Sequence, residues 1–324
     1  DFTGEKLTTL DVALIEDSTI EGLFRVSAAD LDTAINTAGV SGYEAIIVLV
    51  DGTEMASVEL LPTPTNGDDL LVGTSGDDTI AALGGDDVIK GQGGNDVIDG
   101  GDGFDQIAFT SNTASVTVDF SAGTAVSVDS GNDTFTNIEG VIGSNFDDTF
   151  MGDANSNSFV GLGGNDTIDG GDGSDWVWYG HSTDGVTIDL STGTALSTSG
   201  GNDTLTNIEE VHGSNFADTI TGDAKENWFY PDNLGDSSAP ASTVGSSDTI
   251  DGGAGDNDTL SYWGTTYSQG TSLNGVTIDL SAGTAVDPAG NIDTVSNIDD
   301  IQGTAVADTL KGSDGDNILY GDGG

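Results

Sequence analysis

The sequence has no cysteine, two histidines and only 5 Lys+Arg against 56 Asp+Glu in 324 residues, a formal net charge of -51. Without cysteine there are no disulfides and no thiolate metal sites, so stability outside a cell must come from elsewhere. The cations Lys6, Arg25, Lys90, Lys225 and Lys311 form no cluster, which removes the basic footprint that nucleic acid or an anionic membrane requires. No apolar run is long enough to span a bilayer, so no membrane insertion is expected. The zinc helix, nucleophile elbow, phosphate-binding loop and dinucleotide fingerprint are all missing. His181 and His212 lie far apart in sequence, and no catalytic residue or enzyme activity is expected. So much charge on a chain with 50 glycines would ordinarily oppose compaction.

What is present is a strict register. Residues 64–108 divide into five nine-residue units, PTNGDDLLV, GTSGDDTIA, ALGGDDVIK, GQGGNDVID and GGDGFDQIA. Glycine holds the fourth place (Gly67, Gly76, Gly85, Gly94, Gly103), aspartate the sixth (Asp69, Asp78, Asp87, Asp96, Asp105) and an aliphatic residue the eighth (Leu71, Ile80, Ile89, Ile98, Ile107). Glycine at a fixed place marks a tight turn. Three residues after the aspartate suit a very short strand whose centre faces one way and whose flanks face the other. One unit cannot bury its single aliphatic side chain, but stacked units line these up into apolar columns, which makes the fold a solenoid. Stacking also aligns the aspartates, and like charges in register repel unless a cation sits between them. Oxygen donors without thiolate or imidazole suit a hard ion taking six to eight oxygens, which is Ca²⁺.

This pattern resembles GGxGxDxUx, the calcium-binding nonapeptide of the RTX (repeats-in-toxin) proteins. The resemblance implies an all-β fold, a parallel β-roll with calcium-binding turns, in which alternate turns fall on opposite sides. Ca²⁺ is then expected between turns two units apart, so that Asp69 pairs with Asp87, Asp78 with Asp96 and Asp87 with Asp105. Carbonyls of the turn glycines would complete each shell. It further implies export by type I secretion, with an uncleaved signal beyond the last repeat. The sequence stops in the opening of another unit, residues 321–324, so that signal is expected to lie outside it.

Residues 1–62 read differently, as a small α+β (ββαββ) N-terminal domain. Segments 7–15 and 20–26 form a first expected hairpin, 27–38 a helix capped by Ser27, and 43–50 and 54–61 a second hairpin around Asp51-Gly52. With neither histidine nor cysteine, a docking or capping role is expected of it. The roll then occupies 63–324.

After Ala108 a longer repeat takes over. VTVDFSAGTAV from Val116 recurs as VTIDLSTGTAL from Val186 and VTIDLSAGTAV from Val276, giving modules at about 109–178, 179–268 and 269–324. The alternating first part of each module predicts longer strands that continue the solenoid as wider coils. The NIE or NID triplets at Asn137, Asn207 and Asn297 are expected to end a strand, their asparagines satisfying turn carbonyls. Nonapeptide register resumes at Gly143, with sixth places Asp148, Asn157, Asp166 and Asp175 and fourth-place Gly164 and Gly173. The second copy supplies Asp218, Asn227, Asp248 and, one residue out of register, Asp258; the third supplies Asp308 and Asn317. Asparagine offers a neutral oxygen and should weaken or abolish a calcium site.

With the eighth place inward, Trp176, Trp178, Trp228 and Tyr230 at seventh and ninth places point outward. Such rings mark a surface for a protein or for a sugar face, unless the inserted segments fold over them. The leading expectation is a non-enzymatic, calcium-stabilised scaffold of the adhesin, surface-layer or matrix kind. It would be secreted, held at the cell surface and self-associating through contacts that include the N-terminal domain. The alternatives are the repeat region of a larger secreted enzyme (protease, lipase or alginate epimerase) and a module binding cell-surface polysaccharide through the outward aromatics.

Overall fold

The computed structural model describes residues 64–232, 246–255, 257–263 and 275–323, together with four short N-terminal strands. Each unit of the opening block makes one three-residue strand: Leu70–Val72, Thr79–Ala81, Val88–Lys90, Val97–Asp99 and Gln106–Ala108. Successive strands fall on opposite sides, and each pairs in parallel with the strand two units away. Leu71 lies beside Ile89 and Ile89 beside Ile107 in one sheet, Ile80 beside Ile98 in the other. Eighth-place side chains are buried between the sheets while seventh-place residues remain partly open. The fold is all-β, a β-roll, with no helix among the described residues.

The longer repeat does not make wider coils. Its strands Val116–Asp119, Thr124–Ser127 and Gly131–Thr136 form an antiparallel meander inside one sheet of the roll. The last of them lies parallel beside the earlier Val97–Asp99, and the first lies parallel beside the later Thr149–Met151, so the chain doubles back before it advances. The reversal is encoded locally. Asp119 Oδ1 accepts from Ser121 Oγ at 2.7 Å and from the Ala122 N–H at 2.9 Å, closing the turn that Gly123 completes at φ 62. The same turn recurs at Asp189 and Asp279. These three carboxyls are held below their ordinary range, Asp119 and Asp189 by the serine hydroxyl and Asp279, at about 2, first by the Lys311 ammonium.

While one sheet takes in three strands, the other advances by one, Gly140–Ile142, set between Gln106–Ala108 and Ser158–Val160. Sixteen strands therefore face eleven. The crowding is relieved at the middle strand of each meander, which contributes only a buried alanine to the core: Ala125, Ala195 and Ala285. In the first module the neighbouring core is aromatic. Phe120 meets Phe135 and Phe159 edge-on at 5.5 and 5.9 Å, and Phe150 stacks on Phe159.

Near the N-terminus, Leu14–Glu16 pairs antiparallel with Phe24–Val26, and Tyr43–Ile46 with Glu59–Pro62, as the two expected hairpins require. The helix expected over 27–38 and the Asp51-Gly52 turn lie outside the described residues.

Phe150 is completely buried, so Phe150→Ala should cost about 3–5 kcal/mol. Denaturant unfolding of the calcium-loaded chain measures this, and Val128→Ser at an exposed turn position should leave the midpoint unchanged.

Candidate metal centres

The sixth-place carboxylates are tied together backbone to side chain. The N–H of Asp69 donates to Asp87 Oδ1 at 2.7 Å, that of Asp78 to Asp96 Oδ1 at 2.9 Å and that of Asp87 to Asp105 Oδ1 at 2.9 Å. These are the pairs expected from the register. Fifth-place side chains bond in the opposite direction, for example Asp86 N–H to Asp68 Oδ1 at 3.0 Å and Phe104 N–H to Asp86 Oδ1 at 2.8 Å. Each turn is thus held to its neighbour on the same side by two oppositely directed bonds.

The other carboxylate oxygen divides the twelve expected aspartates into two kinds. In Asp69, Asp78, Asp148, Asp218 and Asp308 the Oδ2 accepts the N–H of the second residue in its own unit, at 2.6 to 2.7 Å. That second residue is Thr or Ser in every case. Asp148, Asp218 and Asp308 also accept, at Oδ1, the N–H of Val116, Val186 and Val276, so they cap the first strand of each meander. In Asp87, Asp96, Asp105, Asp166, Asp175, Asp248 and Asp258 the Oδ2 is buried and has no hydrogen-bond partner. A bare buried carboxylate oxygen is costly unless something else satisfies it.

Beside Asp96, Asp105, Asp166, Asp175 and Asp258 the space is kept open by the glycine that begins the unit, Gly91, Gly100, Gly161, Gly170 and Gly252, whereas the unit of Asp87 begins with Ala82. A Cβ on Gly91 would stand 2.3 Å from Asp96 Oδ2, and one on Gly161 2.1 Å from Asp166 Oδ2. Fourth-place glycines do a different job, letting turns stack backbone on backbone. Gly85, Gly94, Gly103, Gly164 and Gly173 all take positive φ, and a Cβ on Gly103 would reach the Gly85 carbonyl oxygen at 2.0 Å. Gly67 and Gly76, in the first two units, are free of that crowding.

Burial, followed by repulsion from neighbouring carboxylates, pushes Asp166 and Asp248 up to about 8 and Asp175 up to about 7. Asp105 and Asp258 rise to about 6 for the same reasons. Oxygens of this kind, with bare lone pairs, glycine-made room and no imidazole or thiolate partner, fit a hard divalent cation.

Residues 65–91, 72–107, 142–177 and 293–324 match the model of the RTX calcium-binding nonapeptide repeat, in four copies. The chain carries RTX calcium-binding repeats. It is thus of the calcium-binding, secreted type, and its repeats bind several Ca²⁺ ions. No curated protein matches the chain.

Sequence reasoning missed part of the RTX register. Asp133, Asp203 and Asp293, inside the meanders, take sixth places: their Oδ1 atoms accept the N–H of Asp96, Asp166 and Asp248 at 3.0 Å each. The signal was present in Gly131-Asn132-Asp133-Thr134-Phe135, which carries fourth, sixth and eighth places in order. Asp133 Oδ2 is bare, whereas the Oδ2 atoms of Asp203 and Asp293 accept from the hydroxyls of Tyr179 and Tyr262. Glu139, Glu209 and Asp299, in the NIE and NID triplets, reach the N–H groups of Asp105, Asp175 and Asp258 in the same way. The triplet asparagines do not satisfy turn carbonyls; each sits at φ 51 to 53 and donates to a strand-end aspartate, as Asn137 does to Asp99 at 2.8 Å.

Asn157 and Asn317 show what replaces a bare oxygen. Their Nδ2 groups donate to the carbonyls of Glu139 and Asp299, at 3.4 and 2.7 Å. An amide donor there links two oxygens that would otherwise need a cation between them. Asp258 regains the register because Asn257 absorbs the extra residue at φ 71, and the N–H of Asn227 donates to its Oδ1 at 2.9 Å.

Trp176, Trp178, Trp228 and Tyr230 lie on the outer face of the eleven-stranded sheet, half-buried. Register places Glu210 between Trp176 and Trp228, and His212 between Trp178 and Tyr230. His212 stacks on Tyr230 with centroids 4.3 Å apart and shares a 2.7 Å contact with Glu210, while His181 meets Trp178 edge-on at 4.4 Å. The two histidines, remote in sequence, therefore both flank Trp178.

Two outcomes are expected. Asp87→Ala should lower the calcium-dependent melting temperature more than Asp69→Ala, because Asp87 is fully buried with a bare Oδ2 while Asp69 is partly open and its Oδ2 accepts the Thr65 N–H. Without calcium, the raised carboxyls hold protons in the folded state that the unfolded state has released, between the ordinary value of 3.8 and about 8. Their contribution is complete below the unfolded value and lost as pH rises through about 6 to 8. Any strand structure that protonated carboxyls hold at about pH 5 without calcium should therefore melt at lower temperature, and be lost, towards about pH 8, whereas the melting temperature with calcium should rise over the same range, because calcium binds the deprotonated form. Thermal scans across that range measure both slopes.

Proposed function

We propose that the chain is a non-enzymatic, calcium-stabilised extracellular scaffold of the surface-layer, matrix or adhesin kind, which folds on binding calcium after secretion and then self-associates at the cell surface. The observation that carries this reading is the series of bare, buried Oδ2 atoms at Asp87, Asp96, Asp105, Asp133, Asp166, Asp175, Asp248 and Asp258. They are distributed over both sheets, from Asp87 in the opening block to Asp258 in the second module, instead of converging on one cleft. We assign these eight as the principal calcium ligands, with carbonyls of the turn glycines, including Gly67, Gly76, Gly85, Gly94, Gly103, Gly164 and Gly173, as completing donors. Asp69, Asp78, Asp148, Asp218 and Asp308 act first as caps of their own turns.

Magnitudes support dependence on the ion. One fully buried aliphatic side chain per unit contributes about 1.5–3 kcal/mol. Ordering even three backbone residues costs about as much or more, at about 1–2 kcal/mol each. Ion binding supplies folding free energy directly and neutralises part of the -51 charge that keeps chains apart. Extracellular calcium is then both the folding trigger and the condition for association.

The outer aromatic face favours a second activity on the same scaffold, contact with cell-surface polysaccharide. Trp176, Trp178, Trp228 and Tyr230 on one outer face, interleaved with Glu210 and His212, offer aromatic and hydrogen-bonding groups for a sugar chain. Circular dichroism and sedimentation velocity of the full chain test the scaffold reading. The expected result is loss of strand signal in EDTA and a calcium-dependent rise in sedimentation coefficient. A strand spectrum and melting temperature indifferent to EDTA, or a monomer at every calcium concentration, would count against it.

A further inference from the structure

The turn before Asp248 departs from the repeat. The corresponding turn of the first module reads Gly161-Leu162-Gly163-Gly164 before Asp166, whereas here strand Trp228–Tyr230 is followed by Pro231 and Asp232, and Ser246 precedes Asp248 by two residues. At the second place of this diverged unit, where the first module has Leu162, the fold brings in a carboxylate outside the sixth-place series. Asp232, Asp248 and Asp293 each offer one carboxylate oxygen, and the three oxygens lie within 4.8 Å of one another.

The partners of these groups leave lone pairs aimed at a common space. Asp248 Oδ1 accepts the Asp218 N–H at 2.8 Å and the Ser246 hydroxyl at 2.9 Å, and its Oδ2 is bare. Among the described residues, Asp232 Oδ1 accepts a long 3.4 Å bond from the Ser246 N–H, and its Oδ2 is bare as well. Asp293 Oδ1 accepts the Asp248 N–H, and its Oδ2 accepts the Tyr262 hydroxyl. Asp232 is 8% exposed, Asp248 1% and Asp293 not at all. The nearby Asp287 is already engaged by Gly290 and Asn291. The lysines with ion pairs among the described residues, Lys225 and Lys311, pair with Glu209 and Asp279 instead.

Three buried carboxylates need a cation. Oxygens around one Ca²⁺ at about 2.3–2.6 Å stand about 3.3–4.5 Å apart at angles of about 90–120°, a span that falls within the 4.8 Å limit enclosing these three. We propose that Asp232, Asp248 and Asp293 form a divalent-cation site, selective by its all-oxygen donors for Ca²⁺, in which Asp232, outside the sixth-place series, takes over the role of the lost glycine turn. The site pins the chain leaving Trp228–Tyr230 to the roll. The opening block and the first module lack it, because Gln92 and Leu162 stand where Asp232 does; in the third module that place is held by Asp322. The inference rests on the reading that bare carboxylate oxygens of this roll hold calcium.

Metal analysis of the calcium-loaded full chain, with calorimetric titration of the EDTA-stripped chain, tests it. Asp232→Ala should bind one ion fewer than the wild type, and the near-isosteric Asp232→Asn should keep the fold while weakening one site at least tenfold. With terbium as the probe, emission excited through tyrosine should fall in both variants and in Tyr262→Phe, since the Tyr262 hydroxyl touches the site. An unchanged ion count, unchanged affinities and unchanged emission in Asp232→Asn would overturn the proposal. Asp96→Asn, run in parallel, separates this from the broader reading. If it loses an ion while Asp232→Asn does not, the repeat sites stand and only the new site falls.

Discussion

The structure depends on bringing like charges into register. Asp87, Asp96 and Asp105 each receive the N–H of the sixth-place aspartate two turns earlier, so the bonds that stack the turns also stack the carboxylates. The backbone bond satisfies one oxygen and leaves the other buried, and a column of such oxygens is stable only with cations between them. The slender interior follows from the same economy: three-residue strands with one inward side chain cannot make a thick core. A chain of this kind links its folded state to an ion more than to its own apolar surface.

The meanders modify that plan without interrupting it. Their outer strands run parallel to the roll and their middle strand runs against it, so the ladder of one sheet passes through all three modules unbroken. Sixth-place aspartates enter the meanders too, and there the bare oxygen is graded by a single residue. Phe109 precedes the first meander and Asp133 Oδ2 is left open; tyrosines at the matching positions 179 and 262 donate to Asp203 and Asp293. Asparagines 157 and 317 accomplish a similar substitution with an amide, so a repeat of one pattern carries charged, hydroxyl-bonded and neutral versions of one position.

The outer face of the eleven-stranded sheet follows from strand geometry. With the eighth place committed to the core, the seventh and ninth places of adjacent turns must lie side by side, and the end of the first module and the second module fill them with tryptophan, histidine and tyrosine. Stacking of Phe104 on Trp176 at 5.1 Å extends this surface back toward the opening block. The rings shelter one another, which explains why they are half-buried on an outer face.

The nine-residue register by itself determined the roll, its inward column and the pairing of Asp69 with Asp87, Asp78 with Asp96 and Asp87 with Asp105. A constant spacing of 18 residues between partners is written in local periodicity. The three long-strand copies were also legible as repeats, but their path was not, since alternation announces a strand without saying which neighbour it pairs with or in which direction. Only the tertiary structure decided that Asp96 meets Asp133 across 37 residues and Asp248 meets Asp293 across 45. It also decided which oxygens are left bare, because that depends on whether the second residue of a turn, a distant tyrosine or nothing at all reaches them. Asp232 makes the limit plain: it stands outside the sixth-place series, and its place beside two sixth-place aspartates follows from where the sheets bring the chain.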